Sequence, residues 1–370
     1  MSKRIILFGP LPPPYGGVAI YLKTLLANFH DSNIRFWTYT GAKPKEPKVR
    51  FVAHRRLGTV WALLAEGRGA RILDASHFHL EYPNLLLLPL WLVLKRLLRF
   101  EWYKNILDGS LPKRYPNFGV IERWLFRRAV NGVDRFVVVS EDLGRWLQEE
   151  IKVRQDVTVI RCLLPQSTEE GATPLSRETK EQLGPYSQAR RVCSIGVFFP
   201  SYGFRDVAEA VEQLRERTGK NIGLLLLDGG FVRDEGYRDE VLRDRDWITV
   251  LETVPNPEIY EILKRSHVFV RAFADESYGI SRIEAIWCGV PVVATRAGET
   301  RGMLLYDFGD VEQLVSRLQT VLLDPVTDEP NPWAERYRHE AEENLRELAG
   351  LLDVQMKGGT GERVKGKGKG

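Results

Sequence analysis

Two series of short apolar runs, each run followed by helical apolar spacing, fill most of the sequence, and one Pro- and Gly-rich interruption divides them. This rhythm is that of parallel, doubly wound sheets, because parallel strands need a crossover and a helix is the crossover that covers a sheet face. The first series places strands at Lys3–Phe8, Ile34–Thr38, Ile72–His77, Trp102–Leu107, Arg135–Ser140 and Val157–Ile160. Helices are expected at Val18–Asn28, Val60–Glu66, Asn84–Arg99 and Glu122–Val130. The second places strands at Val192–Ile195, Gly223–Leu227, Ile248–Leu251, Val268–Arg271 and Val290–Thr295. Its helices are expected at Asp206–Arg217, Asn256–Ser266, Ser281–Trp287 and Val311–Leu323. Between them Pro165, Gly171, Pro174, Gly184 and Pro185 mark a linker. The fold class expected is therefore α/β, two Rossmann-like doubly wound domains facing a cleft. The first covers 1–165 and the second 190–330, with a linker over 166–189. A charged helix over 331–356 crosses back to the first domain, and a disordered Gly/Lys-rich tail covers 357–370.

Composition narrows the class. At 370 residues with 44% hydrophobic and 28% charged side chains, the chain can bury two cores. Its three cysteines, Cys162, Cys193 and Cys288, form no Cys-x-x-Cys pair, which argues against a disulfide framework or a zinc cluster and fits a reducing compartment. The apolar run Ile5–Phe8 is too short for a signal peptide, and Leu85–Leu94 is interrupted by Pro89 and too short for a bilayer span. A cytoplasmic protein is expected. The net charge of +4 conceals an asymmetry: residues 1–160 hold 25 basic against 14 acidic side chains, a net of +11, and the remainder carries −7. An anionic partner for the first half and a merely solvated basic surface are both open on charge alone.

Two constellations lie on loops that follow strands, where ligands of such folds bind. The first is the turn Gly9 to Gly17, in which Gly16 and Gly17 would let a ligand approach the backbone at the start of a helix. A plain tight turn is the other reading, and the spacing is not Gly-x-Gly-x-x-Gly. The second runs from Arg271 to Thr295. A strand ends at Arg271, a loop carries Asp275 and Glu276, Gly279 relaxes the backbone, and a helix starts near Ser281 with Glu284 in its first turn. Carboxylates on either side of a helix N-terminus suit a diphosphate on the N–H groups and sugar hydroxyls on the acids. Ser281-x-x-Glu284 is also a capping box. His77 and His79 lack a third ligand at a recognisable spacing. Asp244 and Asp246 imitate a metal-binding Asp-x-Asp but follow a charged helix. No metal site is assigned.

The segment Glu276-x7-Glu284, continued by Glu-Ala-x-x-x-Gly-x-Pro-Val-Val-Ala to Ala294, resembles the donor-sugar signature of the retaining GT-B glycosyltransferases of glycosyltransferase family 4. Pro14-Tyr-Gly-Gly17 is similar to that family's glycine-rich loop, Val138-Val-Ser-Glu141 to its last N-domain strand, and Trp333 with the final helix to the element that crosses back. The resemblance implies transfer of a sugar, with retention, from a nucleotide-sugar donor to a glycan or lipid-linked glycan. It implies no metal, no cofactor beyond the co-substrate and no nucleic-acid partner. Glu284 would bind the ribose, Glu276 would sit against the donor sugar, and Gly279, Ile280 and Ser281 would hold oxygens through their amides.

The chain departs from the family where an Arg after the first glycine of the second domain and a Lys shortly after grip the diphosphate. Gly196 is followed by Val197, and Tyr202 stands in the second place; Arg205 or Arg271 would have to compensate. Where relatives carry a His, this chain has Asp108, which suits a proton acceptor or an ordinary Asp-Gly turn. These departures motivate the competing reading of a catalytically inactive binding or scaffold subunit. Leu85–Arg99 reads as a core helix. Its basic end, with Lys104, Lys113, Arg114, Arg123, Arg127 and Arg128, would also suit an anionic membrane surface at the inner face.

Overall fold

The computed structural model describes residues 3–12, 16–29, 32–40, 47–52, 55–76, 87–165, 174–183, 190–230, 234–323 and 331–356, without the side chains of 55–57. The pair His77 and His79, much of the expected linker and the Gly/Lys-rich tail lie outside them. The chain divides into two compact units, Met1–Pro165 with Glu340–Gly370, and Gln166–His339.

In the first unit the order is β1 (Ile5–Phe8), α1 (Gly17–Asn28), β2 (Ile34–Thr38), β3 (Val49–Phe51), α2 (Arg55–Glu66), β4 (Arg71–Asp74), α3 (Leu88–Leu98), β5 (Glu101–Ile106), α4 (Leu111–Arg114), α5 (Val120–Gly132), β6 (Arg135–Val138), α6 (Glu141–Trp146, continued as a π-helix over Leu147–Ile151) and β7 (Asp156–Val159). The second holds α7 (Arg177–Leu183), β8 (Arg190–Gly196), α8 (Phe204–Thr218), β9 (Ile222–Asp228), α9 (Glu235–Leu242), β10 (Ile248–Glu252), α10 (Asn256–Lys264), β11 (Val268–Arg271), α11 (Ile280–Trp287), β12 (Val292–Thr295), β13 (Leu304–Tyr306) and α12 (Val311–Leu323). The last helix, α13 (Trp333–Leu352), begins in the second unit and ends in the first.

Both sheets are wholly parallel. Their orders are β3-β2-β1-β4-β5-β6-β7 and β10-β9-β8-β11-β12-β13. In each the order reverses beside the first strand, so the switch points lie between β1 and β4 and between β8 and β11. Alternation of side chains across the first sheet separates two cores. Ile6, Phe8, Ile72 and Trp102 pack on α2, α3, α5 and α6, while Ile5, Leu7, Leu73 and Tyr103 pack on α1 and the end of α13. That end is fixed by Arg71, which donates to the carbonyls of Leu351 and Leu352, and by Asn344, which donates to Leu163 O at 3.0 Å. The beginning of α13 is fixed in the second unit, where Tyr337 Oη donates to Arg301 O and Trp333 covers Gly302.

Three sequence expectations change. Lys104, expected in the basic patch, is instead buried in β5 and paired with Asp74 at 3.2 Å. The Pro/Gly-rich interruption is not all linker, because α7 forms inside it and is pinned to α10: Thr179 Oγ1 donates to Glu258 Oε2 at 2.5 Å, and Ser176 N to the same oxygen. The helix expected at Asn84–Arg99 is described only from Leu88. It buries just Leu88, Trp91 and Leu94, leaving a second apolar stripe outside.

Candidate functional site

The second switch point brings together residues distant in sequence. Gly196 ends β8 and Arg271 ends β11, its hydrogen-bonded neighbour. The loop after β8 is stitched to the loop after β11. Ala274 N donates to Ser201 O at 2.9 Å, and the Tyr202 ring stacks on Phe273 at 4.3 Å between centroids. Glycine is required in this stitching. A Cβ on Gly196 would lie 2.7 Å from the Tyr202 ring, and one on Gly203, at φ +65°, would lie 2.5 Å from Ala272 O. Gly203→Ala is therefore expected to destabilise the second unit by about 2 kcal/mol or more, read as a shift in its urea midpoint; an unshifted midpoint would refute the tight approach.

Arg271 is the centre of this arrangement. Its guanidinium carbon lies 5.4 Å from the Tyr202 centroid and 5.2 Å from that of Phe273. Nε donates to Glu276 Oε2 at 2.7 Å, and a second nitrogen donates to Ile195 O. Both members of the Arg271–Glu276 pair are largely buried. Glu276 in turn packs against Gly279 and Gly298, both at positive φ, so its backbone neighbours leave it room.

Gly279 (φ +87°) is the N-cap of α11 and carries no side chain to satisfy the helix. The N–H groups of Ile280 and Ser281 therefore open the helix without an intrahelical acceptor, with the positive end of the helix dipole behind them. The start at Ile280 puts Glu284 in the second turn, not the first. The capping box is thereby excluded: Ser281 is inside the helix and cannot cap it. Glu284 is instead only 5% exposed and accepts a hydrogen bond from Tyr260 Oη of α10 at 3.0 Å. Burial pushes its carboxyl up to about 7, and burial together with the neighbouring carboxylate raises Tyr260 as well.

Sequence reasoning missed Arg282. It reads as a surface arginine in a helix, yet it is fully buried. It donates to the carbonyls of Ala297 and Glu299 and to Thr295 Oγ1; its Nε has no partner among the described residues and lies on the Gly279 side. No carboxylate forms an ion pair with it among the described residues, and burial lowers its proton affinity to about 10. A buried guanidinium held by carbonyls and a hydroxyl leaves a net positive charge beneath the N-terminus of α11. An anion placed on Ile280 and Ser281 would feel it. Tyr260 was also missed, because its role depends on α10 packing against α11.

Other expected residues are placed elsewhere. Arg205 does not join the Arg271 cluster; as the second residue of α8 it is half-exposed and pairs with Glu240 at 3.3 Å. Tyr202 occupies the position expected of a phosphate-gripping lysine, and Val197 is buried. In the first unit Gly16 is the N-cap of α1 in an extended conformation, and a Cβ on Gly16 or Gly17 would meet nothing within 4 Å among the described residues. These two glycines answer no local strain and leave open space at a helix start. Asp108, after β5, accepts from Ser110 N at 2.8 Å and pairs with Arg114 at 2.5 Å, so it builds the turn into α4. Each of its oxygens keeps one further lone pair.

Residues 176–343 match the family model of glycosyl transferases group 1. The chain is 27% identical over 241 residues to a putative teichuronic acid biosynthesis glycosyltransferase, TuaC, of Bacillus subtilis (strain 168). The match covers 64% of this chain and 55% of that protein, so the chain spans about half the length of the curated relative. Among solved structures it is similar to HepE of Anabaena, determined with UDP-glucose (TM-score 0.71, 16% identity, 94% of this chain and 99% of that one). It is also similar to a sucrose-phosphate synthase of Thermosynechococcus elongatus (TM-score 0.65, 16% identity, 95% and 96%). A third similar structure is WaaG, a glycosyltransferase involved in lipopolysaccharide biosynthesis (TM-score 0.64, 15% identity, 96% and 100%). At these identities the likeness establishes the fold, two Rossmann-like units of the GT-B type.

Proposed function

We propose that this protein transfers a sugar from a nucleotide-sugar donor to a glycan or lipid-linked glycan, with retention of configuration, a reading supported by the match of residues 176–343 to the group 1 glycosyl transferase model and by the GT-B fold. The observation that carries the reading is the second switch point, where an uncapped helix N-terminus, the buried Arg282 and the Arg271–Glu276 pair adjoin one another. The amides of Gly279, Ile280 and Ser281 would hold donor oxygens, and Arg271 and Arg282 would supply the positive charge that Val197 and Tyr202 do not. Glu284 would accept from the ribose and Glu276 would face the sugar. With two guanidinium groups and a helix dipole to balance the leaving diphosphate, the reaction is assigned no metal and no cofactor. Asp108 is the acceptor-side candidate for accepting a proton or a sugar hydroxyl bond. HepE was determined with UDP-glucose and TuaC is named for teichuronic acid biosynthesis, which makes uridine donors and an acidic glycan the first to try.

Calorimetric titration with UDP and GDP, followed by anomeric analysis of the product made with and without chelator, tests this. Binding of one nucleotide, a product of retained configuration and indifference to chelator are expected. Inversion would remove the retaining assignment, and a chelator-sensitive reaction the metal-free one. The scaffold reading has its own motive in the Tyr202 ring lying over Gly196; no binding of either nucleotide would favour it.

A further inference from the structure

Among the described residues ten large hydrophobic side chains are exposed, and eight of them lie on three helices that share one face of the first sheet. These are α2, α3 and α5, with α3 packed against both of the others. Helix α3 is apolar on two sides. Leu88, Trp91 and Leu94 enter the core, while Leu90, Val93 and Leu97 form a second stripe that nothing among the described residues covers. Trp61 and Leu64 extend the surface on α2. Val120 (87% exposed), Ile121 (72%) and Trp124 (56%) extend it on α5. Scattered single apolar residues are ordinary on a protein surface, but a concentration on adjacent helices marks an interaction face.

The charge of this face selects the partner. Arg96 and Arg99 on and just after α3, and Arg127 and Arg128 on α5, have no carboxylate partner among the described residues; Arg128 instead lies over the Trp124 ring at 5.4 Å. Arg96, Arg99 and Arg128 line one open pocket of about 720 Å³ with Val93 and Phe100. The three helices carry only two carboxylates, Glu66, which is bonded to Trp37 and Arg50, and Glu122. Leucine, valine and tryptophan interleaved with arginines that lack counter-charges match a layer with a dense anionic surface above an apolar interior.

We infer that the α2–α3–α5 face docks this protein on an anionic phospholipid bilayer, with lipid phosphates in the pocket between α3 and α5 and the apolar stripes in the acyl boundary. No helix among the described residues is long and apolar enough to cross a membrane, so attachment is peripheral. The inference stands apart from the transferase reading, since docking needs no donor.

The test is flotation of the full chain with vesicles of phosphatidylcholine alone or with about one third phosphatidylglycerol. The wild type is expected to float with the anionic vesicles and to be released by salt. Arg96→Glu/Arg99→Glu/Arg128→Glu should weaken binding on the order of 100-fold, and Ile121→Ser/Trp124→Ser about tenfold or more. All five positions are exposed, so unchanged melting curves are expected and keep the comparison valid. A wild type that stays at the bottom with anionic vesicles overturns the inference, as does a triple variant that floats like the wild type. A dimer in sedimentation that the Ile121/Trp124 variant dissociates, with no vesicle binding, would give the face to a second copy of the chain instead.

Discussion

Arg271→Met is expected to destabilise the second unit by about 3–5 kcal/mol and to abolish nucleotide binding. The stability loss comes from Glu276. With its guanidinium partner gone, a largely buried carboxylate is left unpaired beside Gly279 and Gly298, and the stacked rings of Tyr202 and Phe273 lose the cation they flank. The double variant Arg271→Met/Glu276→Gln removes the unpaired charge and should recover much of the stability without recovering UDP affinity. Urea unfolding of the three proteins, paired with calorimetric UDP titration, reads both effects. If the single and double variants were equally unstable, the pair would not be what holds this loop. If both bound UDP like the wild type, Arg271 would not be a phosphate-binding residue.

The second large effect is on pH dependence. Folded Glu284 keeps its proton up to about pH 7, whereas an unperturbed glutamate releases it near 4.5. Between those values the native state binds more protons than the unfolded one, so stability falls as pH rises through this window. The decrease is roughly 3 kcal/mol at its fullest. Glu284→Gln keeps the hydrogen-bonding shape toward Tyr260 and removes the titration, so it should raise Tm at pH 8 and flatten the profile between about 5 and 7. Donor binding should run the other way. A ribose hydroxyl donates best to the carboxylate form, so affinity should improve as pH rises through about 7 and binding should release protons below it. Titrations in buffers of different ionisation enthalpy measure that release directly. A Gln variant with an unaltered stability profile would show that Glu284 is ionised throughout.

Much of the fold could be read because its causes are local. Buried runs such as Ile34–Thr38 and amphipathic stretches such as Val311–Leu323 carry their own periods, and the structure reproduces both bounds. The elements that escaped reading are short and take their shape from neighbours. β3 and β13, of three residues each, form only by pairing with β2 and β12, and α7 persists in a Pro/Gly-rich stretch because Glu258 of α10 caps its hydroxyls. In the site, the glycine at 279 and the acids at 276 and 284 were legible from spacing. The helix start was misplaced by one residue, and that residue decides whether Glu284 is a cap or a buried acid.

By itself the sequence determined the two doubly wound units, the loop that precedes α11 and the residue types gathered there, since each follows from short-range pattern and backbone freedom. Only the tertiary structure decided what those residues face. Arg271 finds Ile195, Tyr202 and Glu276 because β8 and β11 are adjacent strands, Glu284 finds Tyr260 because α10 packs on α11, and Arg282 turns inward under Thr295 and Ala297. Charge state and burial are set by such partners, which parallel strand order brings together from distant parts of the chain. No local spacing encodes them.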